Sequence, residues 1–113
     1  MAKVTMFQGV QNTQPDVIEK LYDSPASSDG GKGTEILAFS ATNDEESSAS
    51  YKAYIYDASG SLVKPIIPQK IVVRDRFDLG PSSIGQVIPP GGSLRVESST
   101  ALSIAFFGTG NEL

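Results

Sequence analysis

The chain has 113 residues, 13 acidic against 9 basic, a formal net charge of -4, no histidine and no cysteine. One domain of this length buries roughly two thirds of the surface its unfolded chain exposes, enough for a single core. The acidic balance, with no Lys/Arg run, excludes the counterion-displacing patch that nucleic acid requires, and the two missing residue types exclude imidazole bases, thiolate nucleophiles, disulfides and cysteine zinc sites.

Residues 1–15 are polar and end at Pro15, with Val4, Met6 and Phe7 as apolar side chains. They read as a first edge strand or as an N-terminal arm reaching away from a domain over residues 16–113. We take the arm as the expectation, with Val4, Met6 and Phe7 contacting a neighbouring chain. MAKVTMFQGV lacks the continuous apolar stretch of a secretory signal, and no run in the chain approaches the ~20 apolar residues of a membrane span. Synthesis in a cytoplasm, with no membrane partner, is expected.

DVIEKLYDSPA, 16–26, shows helical spacing at Val17, Ile18, Leu21 and Tyr22, but it is short and stops at Pro25; a strand is expected. SSDGGKGT, 27–34, is a loop. In EILAFSATN, 35–43, Leu37, Phe39 and Ala41 share one face of a strand and Ile36, Ala38 and Ser40 the other. ASYKAYIYD, 49–57, alternates cleanly: Tyr51, Ala53 and Ile55 against Lys52, Tyr54 and Tyr56. ASGS is a turn. LVKPIIPQ carries Pro65 and Pro68, which cannot donate ladder bonds, so it reads as an edge. Ile66 and Ile67, side by side, cannot both face one core, so they are candidate contacts too.

KIVVRDRFDLG, 70–80, offers Ile71, Val73 and Phe77 to the core. Pro89-Pro90-Gly91-Gly92 is a strong reversal. SLRVESS points Leu94 and Val96 in, and ALSIAFFGTG points Leu102, Ile104 and Phe106 in, with Ser103, Ala105 and Phe107 out. Six to eight short strands at spacings of roughly ten residues predict an all-β, antiparallel sandwich, jelly-roll or immunoglobulin-like.

Little in this chain carries chemistry. A serine nucleophile would need a lysine or N-terminal base. Asp75 and Asp78 are a carboxylate pair, but three apart on a strand they face opposite sides, and Arg74 and Arg76 neutralise them. NDEES, 43–47, offers oxygen ligands without the spacing of a calcium loop. No catalytic residue, metal site or cofactor is expected. Tyr54 and Tyr56 share a strand face about 7 Å apart by strand rise. Three readings stay open for them: cover by a second sheet or loop, a protein interface, or a carbohydrate platform.

ILAFSATN, SYKAYIYDASGSL and VIPPGGSLRVESSTALSIAFFGTGNEL together resemble small β-sandwich virion proteins of tailed bacteriophages. In that group a strand ending in Asn, here Asn43, precedes a polar loop and an aromatic-rich strand. A Pro-Gly bend follows, here Ile88 to Gly92, and a last strand ends in Gly, here Gly108 or Gly110. The resemblance covers roughly residues 17–113 and implies a virion structural protein without enzymatic activity. Its members decorate or cement capsids, or serve in tails and baseplates. The implied partners are the major capsid protein and copies of the chain itself, as a trimer.

Overall fold

The computed structural model describes residues 3–8, 13–43, 45–73, 76–78 and 83–113, and the side chains of Lys64, Pro68, Ile71 and residues 76–78 lie outside the description. Nine strands are found among these residues: β1 (Lys3–Gln8), β2 (Glu19–Asp23), β3 (Thr34–Asn43), β4 (Ala49–Tyr56), β5 (Leu62–Val72), β6 (Arg76–Asp78), β7 (Val87–Ile88), β8 (Ser93–Ser98) and β9 (Ile104–Glu112). A short 3-10 helix at Ser27–Asp29 interrupts the loop between β2 and β3.

All the strand pairs are antiparallel and nest. β1 pairs β9, β2 pairs β8, β3 pairs β6 and β7, and β4 pairs β5. The chain is thus one long hairpin whose tip is the Asp57–Ser61 turn. There the Asp57 carboxylate accepts from the Ser59 and Ser61 amides at 3.0 and 2.9 Å, and Gly60 takes φ 85°. This is the three-residue hairpin loop that ends in a left-handed glycine. Those hydrogen bonds, the Ser59 hydroxyl's first, hold the Asp57 carboxyl below its usual range.

Rolling that hairpin lays β9 beside β3 and β8 beside β4. Two sheets result, in the orders β1-β9-β3-β6 (with β7 also on β3) and β2-β8-β4-β5. With β6 and β7, which both pair β3, counted as one position, eight strands wound in this way are a jelly roll, so the all-β sandwich expectation holds and the jelly-roll alternative is the one realised.

The core lies between the sheets. Phe39, Tyr51 and Phe106 form an aromatic cluster with ring centroids 5.6 to 6.1 Å apart. Ile36, Ile55, Ile67, Ile88, Leu94, Val96 and Ile104 surround it, all buried. Each such aliphatic side chain contributes about 1.5–3 kcal/mol on burial. β4 along its whole length and β8 from Leu94 onward bury alternate residues, as period two requires.

Four expectations are corrected, each where the chain leaves regular alternation. Leu37 does not share the inner face with Phe39. A bulge between Ile36 and Ala38 turns Leu37 out, so that Ile36 and Phe39 both face in. Ile66 and Ile67 are both buried, because the pairing with β4 skips a residue between Ala53 and Tyr54 and the extra residue, Ile66, folds inward. Val72, not Val73, fills the core at the end of β5, while Phe77 and Ile71 fall outside the described side chains. Leu102 is exposed at φ 57°, and Ser103 is buried with its hydroxyl donating to the Thr100 carbonyl at 3.1 Å.

The N-terminal segment is corrected as well. Residues 3–8 do not reach away from the domain. They form β1, an edge strand in unbroken register with β9 from Lys3↔Glu112 to Gln8↔Phe107. Phe7 points into the core and is buried, its ring 5.2 Å from that of Tyr22.

Candidate functional site

The sandwich presents two outward sheet faces of opposite character. On the β2-β8-β4-β5 face, strand register aligns Lys20 with Arg95 and Tyr54, and Glu97 with Lys52. Tyr54 donates its hydroxyl hydrogen to Glu97 Oε1 at 2.7 Å. The Arg95 guanidinium lies 4.3 Å from the Tyr56 ring centroid, and its Nε donates to Ser93 Oγ at 2.9 Å. Lys20 and Asp23 are 3.2 Å apart, an exposed pair of little energetic weight. Across β2, β8 and β4 this face is polar and charged; on β5 it carries the exposed Leu62 and Pro65.

Tyr54 and Tyr56 are therefore not covered by the second sheet; each is half-buried by its neighbours. Their rings meet edge to face at 73°, and Arg95 occupies one face of Tyr56. A sugar platform needs open ring faces, and this pair offers no coplanar ones.

The Tyr54 hydroxyl is pushed up to about 12 by burial first, then by the Glu97 carboxylate it bonds. Tyr22 is likewise pushed up to about 12, by burial and then by its hydrogen bond to Glu112. Both folded values exceed the ordinary value of about 10. The stabilisation is thus fully present below pH ~10 and is lost as pH rises towards ~12. Tyr22 and Tyr54 are expected to ionise late when tyrosinate absorbance is followed on the folded chain. Tyr54→Phe and Tyr22→Phe should each remove one; titration of both near pH 10 would contradict the geometry.

The other outward face, on β1-β9-β3 with β7, carries a cluster of exposed apolar side chains among mostly uncharged polar ones. Across it register sets Val4 beside Asn111, Glu35 and Val87, then Met6 beside Thr109 and Ala38, then Gln8 beside Phe107 and Ser40. Val4 is 67% exposed, Met6 63% and Phe107 43%, with Leu37 and Val87 similarly open. Among the described side chains, Glu35 at one end is the charge on this face. Exposed apolar side chains clustered on one sheet face are a candidate interaction surface. Val4 and Met6, expected as contacts, are brought together here. Phe7, Ile66 and Ile67 are buried and supply no surface. Val87 and Leu37 escaped sequence reasoning: Val87 sits in a two-residue strand, and Leu37 emerges through a bulge.

Polar clefts also occur among the described residues. One, of about 90 Å³, lies among Asp16, Ser50, Lys52, Gln69 and Glu97; another lies along Glu45, Glu46, Ser47 and Ser48. Among the described residues no three carboxylates group as metal ligands. Asp75 and Arg74 fall outside the described residues, as do the side chains of Arg76 and Asp78. A Ser-x-x-Lys spacing occurs at Ser61 and Lys64. Ser61 stands at the exposed hairpin tip, where its Oγ lies 3.2 Å from that of Ser59, in the manner of a turn.

No protein-family model matches the chain, and no curated protein matches it. Among solved structures it is similar to a chain of infectious bursal disease virus, Gx strain, with TM-score 0.57 and 12% identity over 97% of this chain and 32% of the other. Chains of the Gt strain and of the VP2 subviral particle of that virus align over the same shares at 12% identity, with TM-scores of 0.48 and 0.47. The chain spans about a third of the length of these chains. At such identity the Gx likeness is one of fold: the jelly roll occurs there as part of a larger viral chain.

Proposed function

We propose that the chain is a virion structural subunit, without catalytic activity, that binds a capsid shell as a decoration or cement protein. The observation that carries this reading is the cluster of exposed apolar side chains Val4, Met6, Leu37, Val87 and Phe107 on one sheet face, where Glu35 at one end is the charge among the described side chains, while the other face carries Lys20, Lys52, Arg95 and Glu97. An acidic chain with one such face stays soluble before assembly and has one side with which to dock. The jelly-roll likeness to a viral chain supports the reading at the level of fold. A repeated shell offers many equivalent sites, so a modest contact per copy suffices once copies are linked.

The test is co-sedimentation with capsids, followed by cryo-EM of the particles. Leu37→Asp and Phe107→Asp change exposed positions, so the β spectrum should persist while particle binding falls roughly tenfold or more, as for a charge placed in an apolar contact. Undiminished binding of both variants, or density for the chain at the tail instead of the shell, overturns the proposal.

A further inference from the structure

We propose that two copies of the chain pair through β1, antiparallel about a two-fold axis, with Val4 of each copy opposite Met6 of the other and Thr5 opposite Thr5. The inference goes beyond the capsid reading and stands without it. It begins with the sheet edges. β5 carries Pro65 and Pro68 and pairs β4 through three register shifts. β2 is bulged between Lys20 and Tyr22. The β6/β7 edge is split into pieces of three and two residues. These are the devices by which edges avoid strand addition. β1 has none of them: six residues in unbroken register, no proline, and no partner on its outer side among the described residues.

The sequence of β1 favours a second copy as the occupant. Val4 and Met6 point outward, and a strand alternates faces with period two. Only registers that set even residues opposite even ones keep both side chains on the outer face of the joined sheet. The same parity makes the two members of an opposed pair alike: in alternate pairs both turn their backbone groups to the seam and exchange bonds reciprocally, and in the pairs between them both turn those groups to β9. Among these registers, the one centred on Thr5 sets Val4 against Met6 twice and Thr5 against itself, both favourable cross-strand pairs. The register centred on Met6 would set Val4 against Gln8. Lys3, the one ionisable residue of β1, then lies opposite Phe7, not opposite a second lysine. The two chains, at -4 each, repel at long range, but beyond ~8 Å physiological salt screens that force. Pairing also joins the two apolar faces into one. An isologous seam closes at two copies, whereas the phage resemblance implies three.

The chain has no cysteine, so any introduced thiol is unique. Opposed residues in an antiparallel pair have Cα atoms about 4.5–5.5 Å apart, within the range a disulfide spans. Under mild oxidation Thr5→Cys should form a covalent dimer. Val4→Cys and Met6→Cys should not do so alone, but an equimolar mixture of the two should. Independently of any Cys variant, the native chain should sediment at twice the chain mass, and Val4→Lys/Met6→Lys, altered at exposed positions, at the single-chain mass with its β spectrum retained. Three results overturn the proposal: a native chain that sediments as a monomer, Met6→Cys that crosslinks to itself, or a double-lysine variant that remains dimeric.

Discussion

Gly108→Ala is expected to destabilise the sandwich by about 3 kcal/mol, the upper part of the range for overpacking a filled interior. Gly108 lies on β9 directly between Phe7 of β1 and Phe39 of β3. A Cβ there would stand 2.2 and 2.6 Å from two ring carbons of Phe7 and 2.7 Å from the Ala38 carbonyl oxygen. The ring cannot simply turn aside. Tyr22 packs against it at 5.2 Å, and its other side borders the space left by Gly110. The backbone of Gly108 is outside the left-handed region, so alanine would gain about 0.4–1 kcal/mol from a less flexible unfolded chain. That gain is smaller than the clash.

Phe7→Ala alone should cost about 3–5 kcal/mol by leaving a cavity. Combined, the two changes should cost less than their sum, because the new methyl enters space the ring vacated; a coupling of about 1–3 kcal/mol is expected for residues in direct contact. Urea unfolding midpoints of the four chains measure it. Strict additivity would show that Phe7 does not occupy the hollow above Gly108, and β1 would lose its anchor in the fold.

That relationship also marks where the sequence stops being legible. Period two could be read in β4 and β8 because both strands are paired on both sides and bury one face throughout. The Asp57–Ser61 and Pro89–Gly92 turns could be read because their chemistry is local. Phe7 and Gly108 fit each other only across the whole length of the nested hairpin, and nothing near either residue reveals it. Three apolar side chains at the N-terminus were visible, but whether they formed an arm or an edge strand depended on β9. The bulges at Leu37 and Ile66 were hidden for the same reason: a skipped residue belongs to a pair of strands, not to one. Three of the five apolar side chains on that face were therefore readable, Phe107 by its parity and Val4 and Met6 as apolar residues of the N-terminal segment. Leu37 and Val87 became visible only once the strands were aligned.

Asn43, the residue that ends β3, is expected to be the most sensitive polar position in the described chain, and to show it through pH. It is fully buried. Its Nδ2 donates to the Val72 carbonyl at 2.7 Å and to the Ser47 carbonyl at 3.0 Å, and its Oδ1 accepts from the Glu45 amide at 3.0 Å. One side chain thus ties β3 of one sheet to the end of β5 in the other and closes the connection between β3 and β4. Asn43→Ala leaves the buried Val72 carbonyl without this donor, while the exposed connection can turn to water. A loss of about 2–4 kcal/mol follows from one buried unpaired acceptor plus the lost packing. Asn43→Asp keeps the shape but removes the donor. At neutral pH it aims an ionised oxygen at two carbonyl oxygens, so its loss should exceed that of alanine. Burial and those dipoles raise the folded pKa of the introduced carboxyl above its unfolded value of about 3.9. The sign is then fixed: the protonated acid can donate to Val72, and stability is retained below pH ~4 and lost as pH rises through the raised folded value. Urea unfolding across that range should show Asn43→Asp approaching or surpassing Asn43→Ala in acid and falling well below it at neutrality. Parallel pH profiles for the two variants would mean that the amide's hydrogen bonds do not hold the sheets together.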